Sequence, residues 1–176
     1  MKKEKVDIMI TKEALDKRIA ELGEQISKDY AKKRVKLICV LKGGVFFACE
    51  LAKHIGLELA IDFMAVSSYG SSTVSSGSIK MIKDLDESIE GEDVRVVEDI
   101  VDSGRTLSHL LNLLRQRNPK SLVLCTMLDK PDRRVTQVDV RYTGFVIPDE
   151  FVVGYGLDYD QRYRNLPYIG KLSFVN

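Results

Sequence analysis

The chain holds only three cysteines and two histidines in 176 residues, and neither set is spaced for metal or disulfide chemistry. Cys39, Cys49 and Cys125 are odd in number and form no C-x-x-C pair, which argues for reduced thiols rather than a disulfide framework or a zinc site. Cys39 and Cys125 lie inside apolar runs, where a free thiol packs as a small hydrophobe. His54 and His109 sit far apart in helical segments and read as structural or surface residues. No run approaches the ~18 apolar residues of a membrane span. The basic start Met1-Lys2-Lys3-Glu4-Lys5 is not followed by the apolar stretch of a secretory leader. Charge is almost balanced, at +1, so no field draws the chain to nucleic acid or to a membrane. These absences describe a soluble cytoplasmic protein. Its length fits one domain, residues 1–176, with a sizeable core and no internal repeat.

What is present is organised around Val94-Arg95-Val96-Val97-Glu98-Asp99-Ile100-Val101-Asp102-Ser103-Gly104-Arg105-Thr106-Leu107. It starts as a β-branched run, the composition of a buried parallel strand. Glu98 and Asp99 follow where such a strand ends, and Asp102-Ser103-Gly104 makes a turn. Leu107, Leu110, Leu111 and Leu114 then recur at helical spacing. The acids therefore fall at the carboxyl end of a strand, the place where open α/β sheets bind ligands. The helix that follows offers unpaired N–H groups to an anion. The pattern suits a metal or ribose hydroxyls at Glu98 and Asp99, and a phosphate at residues 102–106. Glu-Asp alone would mean no more than an acidic capping loop; the full pattern argues for a site.

Elsewhere the chain alternates. Thr11 is placed to cap a first helix with the stripe Leu15, Ile19, Leu22 and Ile26. Lys32-Lys33-Arg34 reads better as a solvated cationic helix end than as a nucleic-acid patch. The strand Lys36–Leu41 runs into Lys42-Gly43-Gly44, a second loop whose backbone a phosphate can approach closely. A helix from about Val45 to His54 is expected next, with Gly56 as its terminator. The strand Leu59–Val66 precedes a polar stretch, Ser67 to Ser78, before Ile79-Lys80-Met81-Ile82 resumes as a strand. Composition alone reads as a flexible linker, but an insertion of this length between two strands of one domain can also be a lid. Asn118-Pro119 ends the central helix region, and Leu122–Leu128 forms another buried strand ending in Asp129-Lys130-Pro131.

The stretch Asp99-Ile100-Val101-Asp102-Ser103-Gly104-Arg105-Thr106 resembles the phosphoribosyl-pyrophosphate (PRPP) signature of the type I phosphoribosyltransferases. Ser103 stands where that family usually has Thr, and keeps the hydroxyl. With Leu41-Lys42-Gly43-Gly44, Ser68-Tyr69, Lys130 and the run Gly144 to Tyr159 in the family's order, residues 36–172 resemble the hypoxanthine-guanine branch. The resemblance implies an α/β fold: a mostly parallel central sheet flanked by helices, a small hood from the chain ends, and a mobile lid loop at about 67–78. It implies a purine-salvage enzyme that moves the 5-phosphoribosyl group from PRPP to N9 of a 6-oxopurine, giving IMP or GMP and pyrophosphate. It assigns Asp102 as proton partner of the base, and Glu98, Asp99, Asp102, Ser103, Gly104, Arg105 and Thr106 to the ribose phosphate. Lys42, Gly43 and Arg164 go to pyrophosphate, and Ser68 and Tyr69 to the lid. Lys130, Phe151, Val152 and Asp158 go to the purine, with Arg134 adding positive charge. Mg²⁺ is the implied cofactor, at Glu98, Asp99 and Asp158. In the resembled family the Leu–Lys peptide is often cis, an isomer that the sequence leaves open at Leu41–Lys42, and a homo-oligomer, dimer or tetramer, is implied. A nucleotide-binding regulator is the competing class; it would need an added DNA-binding segment or a basic RNA face, and the near-neutral chain offers neither. A xanthine- or adenine-preferring transferase is the nearer alternative, and Lys130 argues against adenine.

Overall fold

The computed structural model describes residues 3–68 and 79–175. Strand β1 (Lys3–Ile10) leads into helix α1 (Lys12–Asp29), then β2 (Val35–Leu41), α2 (Val45–Lys53), β3 (Leu59–Ser68) and β4 (Ile79–Lys83). The second half runs β5 (Asp93–Val101), α3 (Arg105–Arg115), β6 (Ser121–Asp129), a 3-10 turn (Pro131–Arg133), β7 (Val140–Val146), β8 (Val152–Val153) and β9 (Ile169–Val175). Six strands form one sheet in the order β4-β3-β2-β5-β6-β7, parallel throughout except for β4. The remaining three, β1-β9-β8, form a small antiparallel sheet from the chain's two ends.

The central strands bury side chains on both faces, which is why β2 reads as a continuous apolar run. Alternation sorts those side chains between two cores. Val35, Leu37 and Cys39 pack with Leu15, Ile19, Leu22 and Ile26 of α1 and with Phe47 and Leu51 of α2. Ile38 and Val40 face the other way, with Val94 and Val96 of β5 and the Leu107, Leu110, Leu111, Leu114 stripe of α3. Thr11 caps α1 as expected, its Oγ1 accepting from the Ala14 N–H at 3.3 Å. At the amino end of β5, fully buried Arg95 stacks its guanidinium on the Tyr30 ring, 3.3 Å from the centroid. Burial lowers the pKa of Arg95 to about 10.

Two expectations need correction. The sequence reading opens with the Thr11-capped helix, yet Lys3–Ile10 forms a strand ahead of it, paired residue for residue from Lys3↔Val175 to Ile8↔Gly170. Its partner lies at the far end of the chain, so no local signal marks it. Gly56 does not terminate α2: the helix ends at Lys53 with His54 as its cap, and the Gly56 N–H instead donates to Ser27 Oγ of α1 at 3.0 Å. No described helix is long and apolar enough to cross a membrane.

The thiols give a direct test of this packing. Burial pushes Cys39 and Cys125 up to about 12, whereas Cys49 is exposed on α2. At pH 8 a disulfide-exchange reagent should modify one thiol quickly in the native protein and three in denaturant, and Cys49→Ser should abolish the fast phase. More than one fast thiol would contradict the two-core packing.

Candidate active site

The order of the strands creates a crevice before any particular side chain is considered. From β2 the chain crosses to β3 on one side, while β5 lies on the other and β6 and β7 continue outward from it. The boundary between β2 and β5 is thus the switch point of the sheet, where the carboxyl ends diverge. The ladder between them stops at Cys39↔Val97, and the next two residues of β5 are Glu98 and Asp99. On the other flank β5 stays paired to β6 through Val101↔Asp129. The acids therefore sit where β5 has lost one neighbour and kept the other.

Two helices begin on either side of this crevice, and both start on a glycine, Gly44 for α2 and Gly104 for α3. Neither start has a side-chain cap or an acidic residue in its first turn, so no carboxylate there repels an anion, although the Gly44 and Val45 N–H groups donate to the Val40 and Lys42 carbonyls. Gly104 is in the left-handed region at φ 80°, and a Cβ there would overlap the Thr136 carbonyl oxygen. Glycine is required on both counts. Ser103, Gly104, Thr106 and Asp102 line a cavity of about 140 Å³ whose floor includes Val40 and Leu107. The Arg105 N–H, at the start of α3, lies 3.5 Å from Ser103 Oγ.

On the facing side the Leu41–Lys42 peptide is cis, and Gly43 lies so close to Asp99 that a Cβ would overlap its Oδ2. Gly156, at φ 102°, backs onto the Gly43 carbonyl oxygen with equally little room. This contact joins the β2–α2 loop to the segment after β8. That segment carries Arg164, whose Nη1 donates to the Gly156 carbonyl at 2.7 Å and whose Nη2 lies 2.8 Å from Asp158 Oδ1. Gln161 Oε1 sits between Lys42 Nζ and Arg164 Nη2, at 3.4 Å from each. Lys42, Arg164 and Asp158 are thus brought together, with Gln161 as a member that the sequence pattern did not single out.

Burial dominates the electrostatics of the acid pair. Glu98 is shielded enough that its pKa rises well above the ordinary carboxylate range, and the neighbouring Asp99 charge adds to the shift. Its Oε2 is buried with no hydrogen-bond partner among the described residues. Asp99 is raised to about 6, first by burial, although the Ile100 N–H donates to its Oδ1 at 2.7 Å and the Arg164 charge opposes the rise. No three His, Cys, Asp or Glu side chains among the described residues come together as a metal cage.

The third group of residues lies at the end of β6. Lys130 is buried and its Nζ donates to the Glu150 carbonyl at 2.5 Å. Phe151 is half exposed and meets the edge of Tyr159, with ring centroids 5.8 Å apart; Tyr159 in turn meets Phe174 of β9 at 5.5 Å. Val152 is buried in β8. Arg134 is not a free cation: its Nε donates to the Asp102 carbonyl at 3.1 Å and its Nη2 pairs with Asp129. The Val135 and Thr136 N–H groups both donate to the Ser103 carbonyl, at 2.9 and 3.0 Å. Residues 130–136 therefore clamp the 102–104 turn, an arrangement between segments some 30 positions apart that spacing could not reveal. Of the lid residues, Ser68 ends β3, while Tyr69 and the loop to residue 78 lie outside the described residues.

Comparison with known proteins bears on what this crevice handles. A family model described as the phosphoribosyl transferase domain matches residues 9–160. The hypoxanthine phosphoribosyltransferase of Buchnera aphidicola is 51% identical over 174 residues, covering 98% of each chain. The hypoxanthine-guanine phosphoribosyltransferase of Bacillus subtilis is 51% identical over 173 residues, 98% of this chain and 96% of that one. A crystal structure of a hypoxanthine-guanine phosphoribosyltransferase from Bacillus anthracis superposes with a TM-score of 0.91 at 43% identity, covering 97% of this chain and 99% of that chain.

The buried acids make a pH-dependent prediction. A carboxyl raised to about 6 in the folded chain, against an ordinary value near 3.8, favours the folded state while protonated. That advantage is lost as pH rises from about 3.8 through about 6. In chelator-treated protein without ligand, Asp99→Asn should melt close to wild type below about pH 4 and increasingly above it up to about pH 6, with the gap then constant at higher pH. Parallel melting curves across that range would mean that Asp99 is not held in this environment.

Proposed function

The chain belongs to the phosphoribosyltransferase family and has its type I fold, and from that premise we propose how its residues carry out the reaction. The enzyme is a pentosyltransferase of purine salvage, moving the 5-phosphoribosyl group of PRPP to N9 of hypoxanthine or guanine. The products are IMP or GMP and pyrophosphate. The observation that carries the residue-level reading is the position of the acid pair, between two glycine-started helix ends and opposite Lys42 and Arg164. A sugar bearing phosphate at one end and pyrophosphate at the other matches that arrangement of acceptors flanked by donors.

Residues 102–106 hold the 5′-phosphate with the amide groups at the start of α3 and the hydroxyls of Ser103 and Thr106. Glu98 and Asp99 take the 2′- and 3′-hydroxyls. The Lys42-Gly43 loop and Arg164 receive pyrophosphate and offset its charge as the C1′–O bond breaks. At the other end Lys130 donates to the purine 6-oxo oxygen. Its ammonium has three hydrogens, of which the Glu150 carbonyl takes one. The same donor faces the 6-amino group of adenine unfavourably. Phe151 covers the face of the base, the Val152 backbone meets its edge, and Asp158 lies towards the base side. Asp102 accepts the N7 proton as N9 bonds to C1′. Sealing this centre from water is the part assigned to Ser68 and Tyr69.

The donor set fits Mg²⁺. Glu98 Oε2 is a buried carboxylate oxygen with no hydrogen-bond partner among the described residues, and a cation beside it would satisfy it. Two carboxylates rather than a protein cage suit an ion that keeps several waters and takes phosphate oxygens. Glu98 and Asp99 would hold it, with Asp158 at a second position. Bound there, the ion supplies charge neutralisation to the departing pyrophosphate. The same reading takes the active form to be a homo-oligomer, dimer or tetramer, and the compartment to be a reducing one such as the cytoplasm, in keeping with three free thiols.

The test is a base panel. With PRPP and Mg²⁺, hypoxanthine and guanine should give nucleotide and adenine should not. Lys130→Ala should lose roughly tenfold or more of the preference for hypoxanthine over adenine, the worth of one buried charged hydrogen bond. An unchanged preference removes Lys130 from the base site. No product from any base, with PRPP binding intact by calorimetry, would overturn the reaction itself.

A further inference from the structure

Arg133 closes the 3-10 turn that begins one residue after Lys130, and its side chain reaches back to the 102–104 turn. Its Nε donates to Asp102 Oδ1 at 3.2 Å, and its Nη1 lies 3.5 Å from Asp149 Oδ2. Asp149 Oδ1 is in turn 4.0 Å from Lys130 Nζ. A chain of alternating charge, Asp102–Arg133–Asp149–Lys130, thus joins the group assigned to the N7 proton with the group assigned to the 6-oxo oxygen. Arg133, Asp102 and Asp149 are about half exposed, so the ion pairs add little to the stability of the fold. Nor is Arg133 needed to hold the turn's backbone. Arg134 and the Val135 and Thr136 amides already do so through the Asp102 and Ser103 carbonyls. What is left for Arg133 is the carboxyl group of Asp102 itself.

We infer that Arg133 is a positioning residue for the transfer reaction, holding Oδ1 of Asp102 so that Oδ2 is aimed at N7 of the bound base. This rests on the reading of Asp102 as the proton partner and deepens it. Asp149 anchors the guanidinium from its far side. Because Lys130 and Arg133 sit on one short segment, docking the 6-oxo oxygen on Lys130 and aligning the acceptor on N7 are set by the same piece of backbone. Arg133 touches neither substrate; its effect passes entirely through Asp102.

That last property decides the experiment. Initial rates with hypoxanthine and PRPP are compared for wild type, Arg133→Ala, Asp102→Asn, the double variant and Arg133→Lys. Arg133→Ala should lower kcat by about tenfold, the order expected for a misaimed catalytic group. Its KM for PRPP should change by less than about twofold, and its melting temperature by no more than about 2 °C. Arg133→Lys, which keeps the charge, should recover part of the loss. Added to Asp102→Asn, Arg133→Ala should cost nothing further. Equal losses in both backgrounds would show that Arg133 acts independently and would overturn the inference. So would wild-type kcat in Arg133→Ala alongside a large loss in Asp102→Asn. Wild-type turnover in Asp102→Asn would instead remove the role of Asp102, and this inference with it.

Discussion

Two adjacent carboxyl groups have to be kept out of bulk water and still remain open to a ligand, and most of the architecture answers that demand. Burying unpaired charge is costly, and the chain responds by raising the proton affinity of Glu98 and Asp99 rather than by pairing them. Arg164 is close enough to lower Asp99 somewhat, but its guanidinium is bonded to Asp158 and the Gly156 carbonyl, not to the acids. Glu98 Oε2 is left without a hydrogen-bond partner among the described residues, while Asp99 receives one from the Ile100 N–H. The sheet makes this possible because β5 parts from β2 just where the acids begin.

The parts that surround the acids are held by segments distant in sequence. The loop after β6 clamps the 102–104 turn through the Ser103 and Asp102 carbonyls, and the loop after β8 is pressed onto the Gly43 carbonyl. Each glycine turn is therefore braced by a segment that also carries a basic residue: Lys130 in one case, Arg164 in the other. The strict glycine positions, Gly104 and Gly156, mark the two surfaces where these braces make contact.

What the sequence disclosed follows from how local each feature is. Apolar period gave α1 and α3, with every member of both leucine and isoleucine stripes buried. Strands β2, β5 and β6 were legible as β-branched or apolar runs, and the acids at the end of β5 marked the site. Strand β1 was not legible, because its residues alternate only weakly and its pairing partner is β9. The burial of Lys130, the capture of Arg134 by Asp129, and the reach of Arg133 to Asp102 all arise from one segment folding back over another. Spacing carries no trace of such contacts. Gln161 escaped notice for the same reason: its neighbours Lys42 and Arg164 meet only in three dimensions.

The hood pairs the first strand with the last, and this divides the molecule in time as well as in space. All six strands of the large sheet lie before residue 147, so the acid pair and the 102–104 turn can be placed while the remainder is still being made. The small sheet cannot: β1 waits, unpartnered, for β9, and so does β8. Phe151 leans on Tyr159, and Tyr159 on Phe174 near the end of β9. During synthesis the large sheet can thus be complete while Phe151, Tyr159 and the segment bearing Gly156 and Arg164 are still to be placed. The pairing of the first strand with the last, the most non-local in the fold and of the kind slowest to form, is what closes the structure.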